Sequence, residues 1–402
     1  MTTERHPPTL LRSPGGSQRA TLLELFSDLV YVAALALTSS DLAGELTWSG
    51  ALRSILPLVA VWWVWSITAI TTDFYDPQRR PIQLILGAVM VGTILMAASL
   101  PNAFGDRGLV FACAYTGSHV VRGVILMTAL TGGGRVRQRA GRFLFWFCVS
   151  TVPWIIGGFA HDSARALLWG FALAIDLVFN ALRYPTPWLG RVLSQQYEAA
   201  TEHLGERYQQ FMILALGDMI LVAVLQFARL EFTGMRTAAL IVAFAITVLL
   251  WQIYVHHAGS LLQTVVVRNP GRSSRWAPFT HLFMVVGIVV TAAGFDIVIR
   301  RPDGHTPVGW IAAVFGGPIL FLLGRTAFEY EVFGRASWTR LGWLVVLGAA
   351  AVPAVLLPPL YAATMVGAIL LALAASDLIR IRGGTGRIEE AVLRRPPGGR
   401  AA

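Results

Sequence analysis

Two carboxylates four residues apart, Glu24 and Asp28, open the first long apolar stretch of this sequence. In a helix that spacing puts both on one face. Like charges so placed repel, and a proton held between them relieves the repulsion. A third acid, Asp218, falls at the middle of the seventh apolar stretch. An acid at the centre of a bilayer costs roughly 2.5–3.5 kcal/mol on insertion scales, so each needs a partner, a wet cavity or a proton. His119 and Arg122 are i, i+3 neighbours in the fourth stretch, and charge balance alone pairs Arg122 with Asp28 or Asp218 as counter-ion. Asp176 and Asn180 share a face of the sixth stretch, while Asp296 and Asp377 lie toward stretch ends and read as interfacial. His256, His257 and His281 sit near the ends of the eighth and ninth. Proton-linked movement of a solute or ion is the chemistry such groups can carry. Plainer roles stand beside it: Glu24 reaching water, Asp218 in a structural hydrogen bond, Arg122 in a bridge that fixes packing, and His281 as a packing residue.

Helices in a membrane have to position these groups. Of 402 residues, 55% are hydrophobic and 13% charged, with a mean hydropathy of +0.62. That is membrane composition. Apolar stretches long enough to cross roughly 30 Å of hydrocarbon recur at 22–39, 51–72, 82–101, 109–130, 143–160, 164–182, 208–228, 237–258, 277–298, 308–324, 341–357 and 360–379. The expected fold is all-α: a polytopic transmembrane bundle of about 12 spans. Arginines fall 24 on the side of the amino terminus and 7 on the other, with Arg122 inside a span. By the positive-inside rule both ends are cytoplasmic. The expected parts are a tail at 1–21, a six-helix half at 22–182, a linker at 183–207, a second half at 208–379 and a tail at 380–402.

The halves carry a weak repeat. Ser27–Leu35 reads SDLVYVAAL against GDMILVAVL at Gly217–Leu225, and Val91–Ser99 reads VGTILMAAS against VGIVVTAAG at Val286–Gly294. Two parallel six-helix repeats are therefore expected, with Asp28 and Asp218 at equivalent sites.

Composition also excludes functions. All 32 basic residues are arginine. Without lysine there is no Walker A loop and no Schiff base to pyridoxal phosphate or retinal. No G-x-S-x-G, H-E-x-x-H or G-x-G-x-x-G motif occurs, so the chain does not read as an enzyme. Cys113 and Cys148 read as buried small apolar residues, and no His/Cys/carboxylate spacing resembles a metal motif. The expected partners are membrane lipid and an unknown small solute or ion. Cofactors, metals and nucleic acid are not among them.

The stretch Leu23–Val32, LELFSDLVYV, resembles the signature of the bacterial low temperature requirement protein A (LtrA) family, ELFFDLVFV. Three further segments resemble that family in order: FYDPQRRP through AASLPNAF from Phe74 to Phe104, HLGERYQQFMILALGD from His203 to Asp218, and HLFMVVGIVVTAAG from His281 followed by GGPILFLLG. About 300 residues are covered. Ser27 replaces an aromatic, Gln209 and Gln210 stand where Gly-Leu is usual, and Asp218 replaces a glutamate. The resemblance implies an integral membrane protein and adds His203, Glu206 and Arg207 as motif positions. Glu24 and Glu206 then become relay or gate groups on the cytoplasmic side. A proton-coupled secondary transporter is the function expected. The alternative is a non-transporting membrane factor that senses, or scaffolds partners, in cold or stress.

Overall fold

The computed structural model describes residues 10–12, 19–130, 134–192, 202–268, 270–333 and 337–382. Most of both expected tails, linker residues 193–201 and the side chains of His256 and His257 lie outside the described residues.

Twelve helices are described. They are α1 Leu22–Gly44, α2 Trp48–Phe74, α3 Arg80–Ser99, α4 Gly108–Ala129, α5 Arg135–Phe159, α6 Asp162–Ala181, α7 Glu202–Ala228, α8 Gly234–Arg268, α9 Pro270–Arg300, α10 Val308–Phe333, α11 Trp338–Ala354 and α12 Pro359–Arg382. Eleven are long and apolar enough to cross a membrane. The remaining one, α11, has 17 residues and a length of about 25 Å, the short end of what can span.

Several helices overrun the apolar stretches that announce them. α7 starts at Glu202 rather than 208, and α10 continues to Phe333 rather than 324. Apolarity marks only the part of a helix in contact with hydrocarbon. Backbone hydrogen bonding carries the helix on into polar surroundings. As a result His203, Glu206 and Arg207 stand on the first turns of α7 instead of in a linker.

α2 and α9 are the most enclosed helices, with 89% and 83% of their apolar windows buried. The halves meet there, with α1 beside α7 and α9, and α2 beside α7 and α9. Trp62 and Trp65 of α2 stack with ring centroids 4.8 Å apart, and Phe211 of α7 lies 4.3 Å from Trp65. Trp62 also donates through Nε1 to the Pro278 carbonyl of α9 at 2.9 Å. The tryptophan run is thus central packing between the halves. Within each half the neighbours follow one order: first beside second and third, third beside fourth, fourth beside fifth, fifth beside sixth, and second beside sixth.

α9 and α10 approach closely through glycine. A Cβ on Gly287 would stand 2.5 Å from the Phe321 backbone nitrogen, and one on Gly324 would stand 2.7 Å from the Thr280 carbonyl oxygen. Small residues let helix backbones pack this tightly in a membrane. Cys113 and Cys148 are exposed on the bundle's outer surface, not buried. A thiol is apolar enough to face hydrocarbon.

Candidate functional site

α1 starts with a capping box. The Glu24 amide donates to Thr21 Oγ1 at 3.3 Å, and the Thr21 amide and hydroxyl donate to Glu24 Oε2 at 2.8 and 2.9 Å. That fixes one carboxylate oxygen and leaves Oε1 directed into the bundle. Thr21→Val is expected to lower stability by about 1 kcal/mol, read as a reduced melting temperature in detergent.

Arg207 meets these acids from α7. Its Nη2 donates to Asp28 Oδ1 at 2.6 Å, and its Nη1 stands 3.2 Å from Glu24 Oε1. Trp65 Nε1 also donates to Asp28 Oδ1, at 2.8 Å. His203, one turn before Arg207 and so on the same face, brings Nε2 to 3.1 Å from Glu24 Oε1 and Nδ1 to 3.6 Å from Asp73 Oδ1 of α2. Arg12, from the segment ahead of α1, donates to the Thr72 carbonyl at 3.1 Å and lies 3.0 Å from His203 Nε2 and 4.0 Å from Glu24 Oε1. Glu24, Asp28, Asp73, His203 and Arg207 are all buried. Three carboxylates thus face two guanidiniums and an imidazole, and the charges cancel when His203 carries both its protons. A proton gained or lost anywhere in this group changes which ion pairs can form.

The other expected residues fall elsewhere. Glu206 is only half-buried and accepts from Gln210 Nε2 at 2.9 Å, outside the network. Arg122 pairs with neither Asp28 nor Asp218. It contacts His119 Nδ1 at 2.9 Å, Thr68 Oγ1 at 2.6 Å and the Val64 carbonyl at 3.5 Å. Charge balance carries no distance information, and a guanidinium can donate to neutral oxygen and nitrogen acceptors as well as to carboxylates. Nor is Arg122 the sole buried cation on a spanning helix, because Arg165, Arg207, Arg325 and Arg340 are buried too. Arg165 donates to the carbonyls of Ala103, Gly105, Gly157 and Gly158, capping the end of α5. Arg340 binds Glu329 and Asp377, and Asp377 is buried inside the bundle near the end of α12. Asp296 does pair near a helix end, with Arg300.

Asp176 accepts from the Tyr115 hydroxyl at 2.6 Å. His281 places Nδ1 3.0 Å from the Ala277 carbonyl and packs its ring 4.5 Å from that of Tyr208. Asp218 is buried, and neither of its carboxylate oxygens has a hydrogen-bond partner among the described residues. It lies eleven residues past Arg207, about 16 Å further along α7 and on nearly the same face. The sequence repeat aligns it with Asp28; Asp28 is six residues past the start of α1, and Asp218 is sixteen past the start of α7, whose first turns precede its apolar stretch.

Three residues of the network, Asp73, Arg12 and Trp65, were not among the candidates read from sequence. Asp73 lies one residue beyond the apolar stretch 51–72, and its signal was the FYDPQRRP segment that follows it directly. The segments beginning LELFSD, FYDPQRRP and HLGER therefore converge on one point: the first and last contribute Glu24, Asp28, His203 and Arg207, and the second abuts Asp73.

Apolar helices closed around a buried ionic seam define a multi-pass helical membrane protein. The chain belongs to the bacterial low temperature requirement A protein (LtrA) family, whose model matches residues 19–375. It is similar to the uncharacterized protein RA0937 of Rhizobium meliloti (strain 1021), with 33% identity over 326 residues that cover 80% of each chain. No solved structure matches it.

Proposed function

We propose that this chain is a proton-coupled secondary transporter of an unidentified small solute or ion, with its path between the two six-helix halves. The observation that carries the reading is the seam: acids of α1 and α2 held across the boundary by Arg207 and His203 of α7. Protonating Asp28 or Glu24 releases one arm of the Arg207 bridge, so proton binding changes how firmly the halves are held. Asp218, buried without a hydrogen-bond partner, serves as a second proton site deeper along α7. The shared order of neighbours supports taking the halves as two copies of one parallel unit. The arginine bias supports a bacterial inner membrane protein with both termini in the cytoplasm. We assign no enzymatic step.

Proteoliposomes loaded with a pH-sensitive dye and challenged with a panel of metabolites and ions should show solute-dependent proton movement. Asp28→Asn and Asp218→Asn should each abolish it while the purified variants remain folded. Unchanged movement in both would discard the reading.

One observation favours the non-transporting alternative, a membrane factor acting in cold or stress: Arg207 bridges Glu24 and Asp28, as a fixed lock between helices requires. Full rescue of cold growth by both asparagine variants would select it.

A further inference from the structure

Three helices leave a small cavity between them, away from the α1–α7 seam. The last turns of α2 contribute Ile70 and Phe74, α4 contributes His119, Arg122 and Leu126, and α5 contributes Arg139. Its volume is ≈ 40 Å³, room for roughly two or three water-sized groups, about what a carboxylate occupies. Two of its lining residues are buried arginines, and no carboxylate lines it among the described residues.

The hydrogen bonds fix what this cavity offers. Arg122 Nη1 lies 2.9 Å from His119 Nδ1. A guanidinium can only donate, so His119 Nδ1 accepts and the ring proton sits on Nε2. His119 Nε2 and Arg122 Nε are both buried without a hydrogen-bond partner. Each carries a hydrogen, so the unsatisfied polar atoms here are two donors. Phe147 stacks on the His119 ring with centroids 3.9 Å apart and fixes its plane. Arg139 is held over the Phe74 ring, 3.4 Å from its centroid, and closes the α5 side of the cavity. The spare donors of Arg122 and His119 and the apolar walls describe a receptor for an acceptor-only, negatively charged group.

We propose that this cavity, open on one side, binds the carboxylate group of a monovalent organic acid, whose oxygens accept from Arg122 and His119 while its apolar end leaves through the open side. The inference rests on the cavity alone and holds whether or not the chain transports. A free organic acid and the carboxyl group of a membrane fatty acid share this chemistry.

Calorimetric titration of the purified full chain in detergent tests it, with sodium butyrate and sodium decanoate as probes and sodium chloride as reference at equal ionic strength. Saturable butyrate or decanoate binding is expected, weakened about tenfold or more in Arg122→Gln, the loss that follows from removing a charge-assisted hydrogen bond. Ala140→Leu fills the lining while keeping both arginines and should also remove binding. Should Arg122→Gln fail to fold, Ala140→Leu decides the question. Preference for butyrate identifies a soluble acid and preference for decanoate a lipid-derived one. The proposal is overturned if neither carboxylate binds, if chloride binds as tightly, or if binding persists unchanged in the variants. None of these results bears on the proteoliposome measurement, so the two ideas fail separately.

Discussion

Arg207→Gln is expected to destabilise the folded protein by about 3–5 kcal/mol, the cost of stripping a buried ion pair of one partner. Arg207 is the group that binds both α1 acids, at 2.6 Å to Asp28 and 3.2 Å to Glu24. Its removal takes away the cation bound to Asp28 and leaves Glu24 with only His203 and the more distant Arg12. The double variant Arg207→Gln/Asp28→Asn should recover part of the loss, because one orphaned charge disappears with its partner. Thermal melting of the purified single and double variants gives the coupling directly. Additive losses would show that the two side chains do not depend on each other, contrary to the geometry.

A second large effect is expected at the α9–α10 contact. Gly287→Leu places a Cβ 2.5 Å from the Phe321 nitrogen and 2.7 Å from the Gly317 carbonyl oxygen. Both neighbours are backbone, so no side chain can turn aside and the helices have to separate. Overpacking typically costs 1–3 kcal/mol and occasionally more. About 3 kcal/mol is expected here, seen as loss of the monodisperse peak in detergent chromatography. Gly316→Leu is the control, since a Cβ at Gly316 meets nothing within 4 Å. Equal behaviour of the two variants would refute the account.

The bundle was legible in the sequence because crossing hydrocarbon demands length and apolarity, and both are written locally. The site was legible only in part, for a physical reason. The spacing of Glu24 and Asp28 is a local fact and survives into the structure. Their partner is a long-range fact: Arg207 is separated from Asp28 by 179 residues, and nothing in its own neighbourhood specifies the pairing. Charge bookkeeping pointed to Arg122, which is equally buried and equally charged but bonds to His119 and Thr68. Asp73 and Arg325 each fall one residue beyond an apolar stretch, at 72 and 324, and are buried nonetheless. At such positions the helix goes on inside protein, where hydropathy has no reason to mark it. The expected equivalence of Asp28 and Asp218 rests on a short local match alone. Short apolar strings drawn from few residue types align readily, and the alignment says nothing about depth along a helix.

The segment around Arg12 has a practical consequence. Leu10 and Arg12 pair by backbone hydrogen bonds with Asp76 and Phe74, and the Arg12 side chain reaches past them to His203. Trimming the gene to begin at the first hydrophobic helix, a common step when preparing such proteins, would therefore delete a cation from the interior along with a stretch that resembles a dispensable leader. Preparations that keep residue 10 onward should outlast those that start after residue 18, and a purification handle joined directly to this segment would press on the same strap.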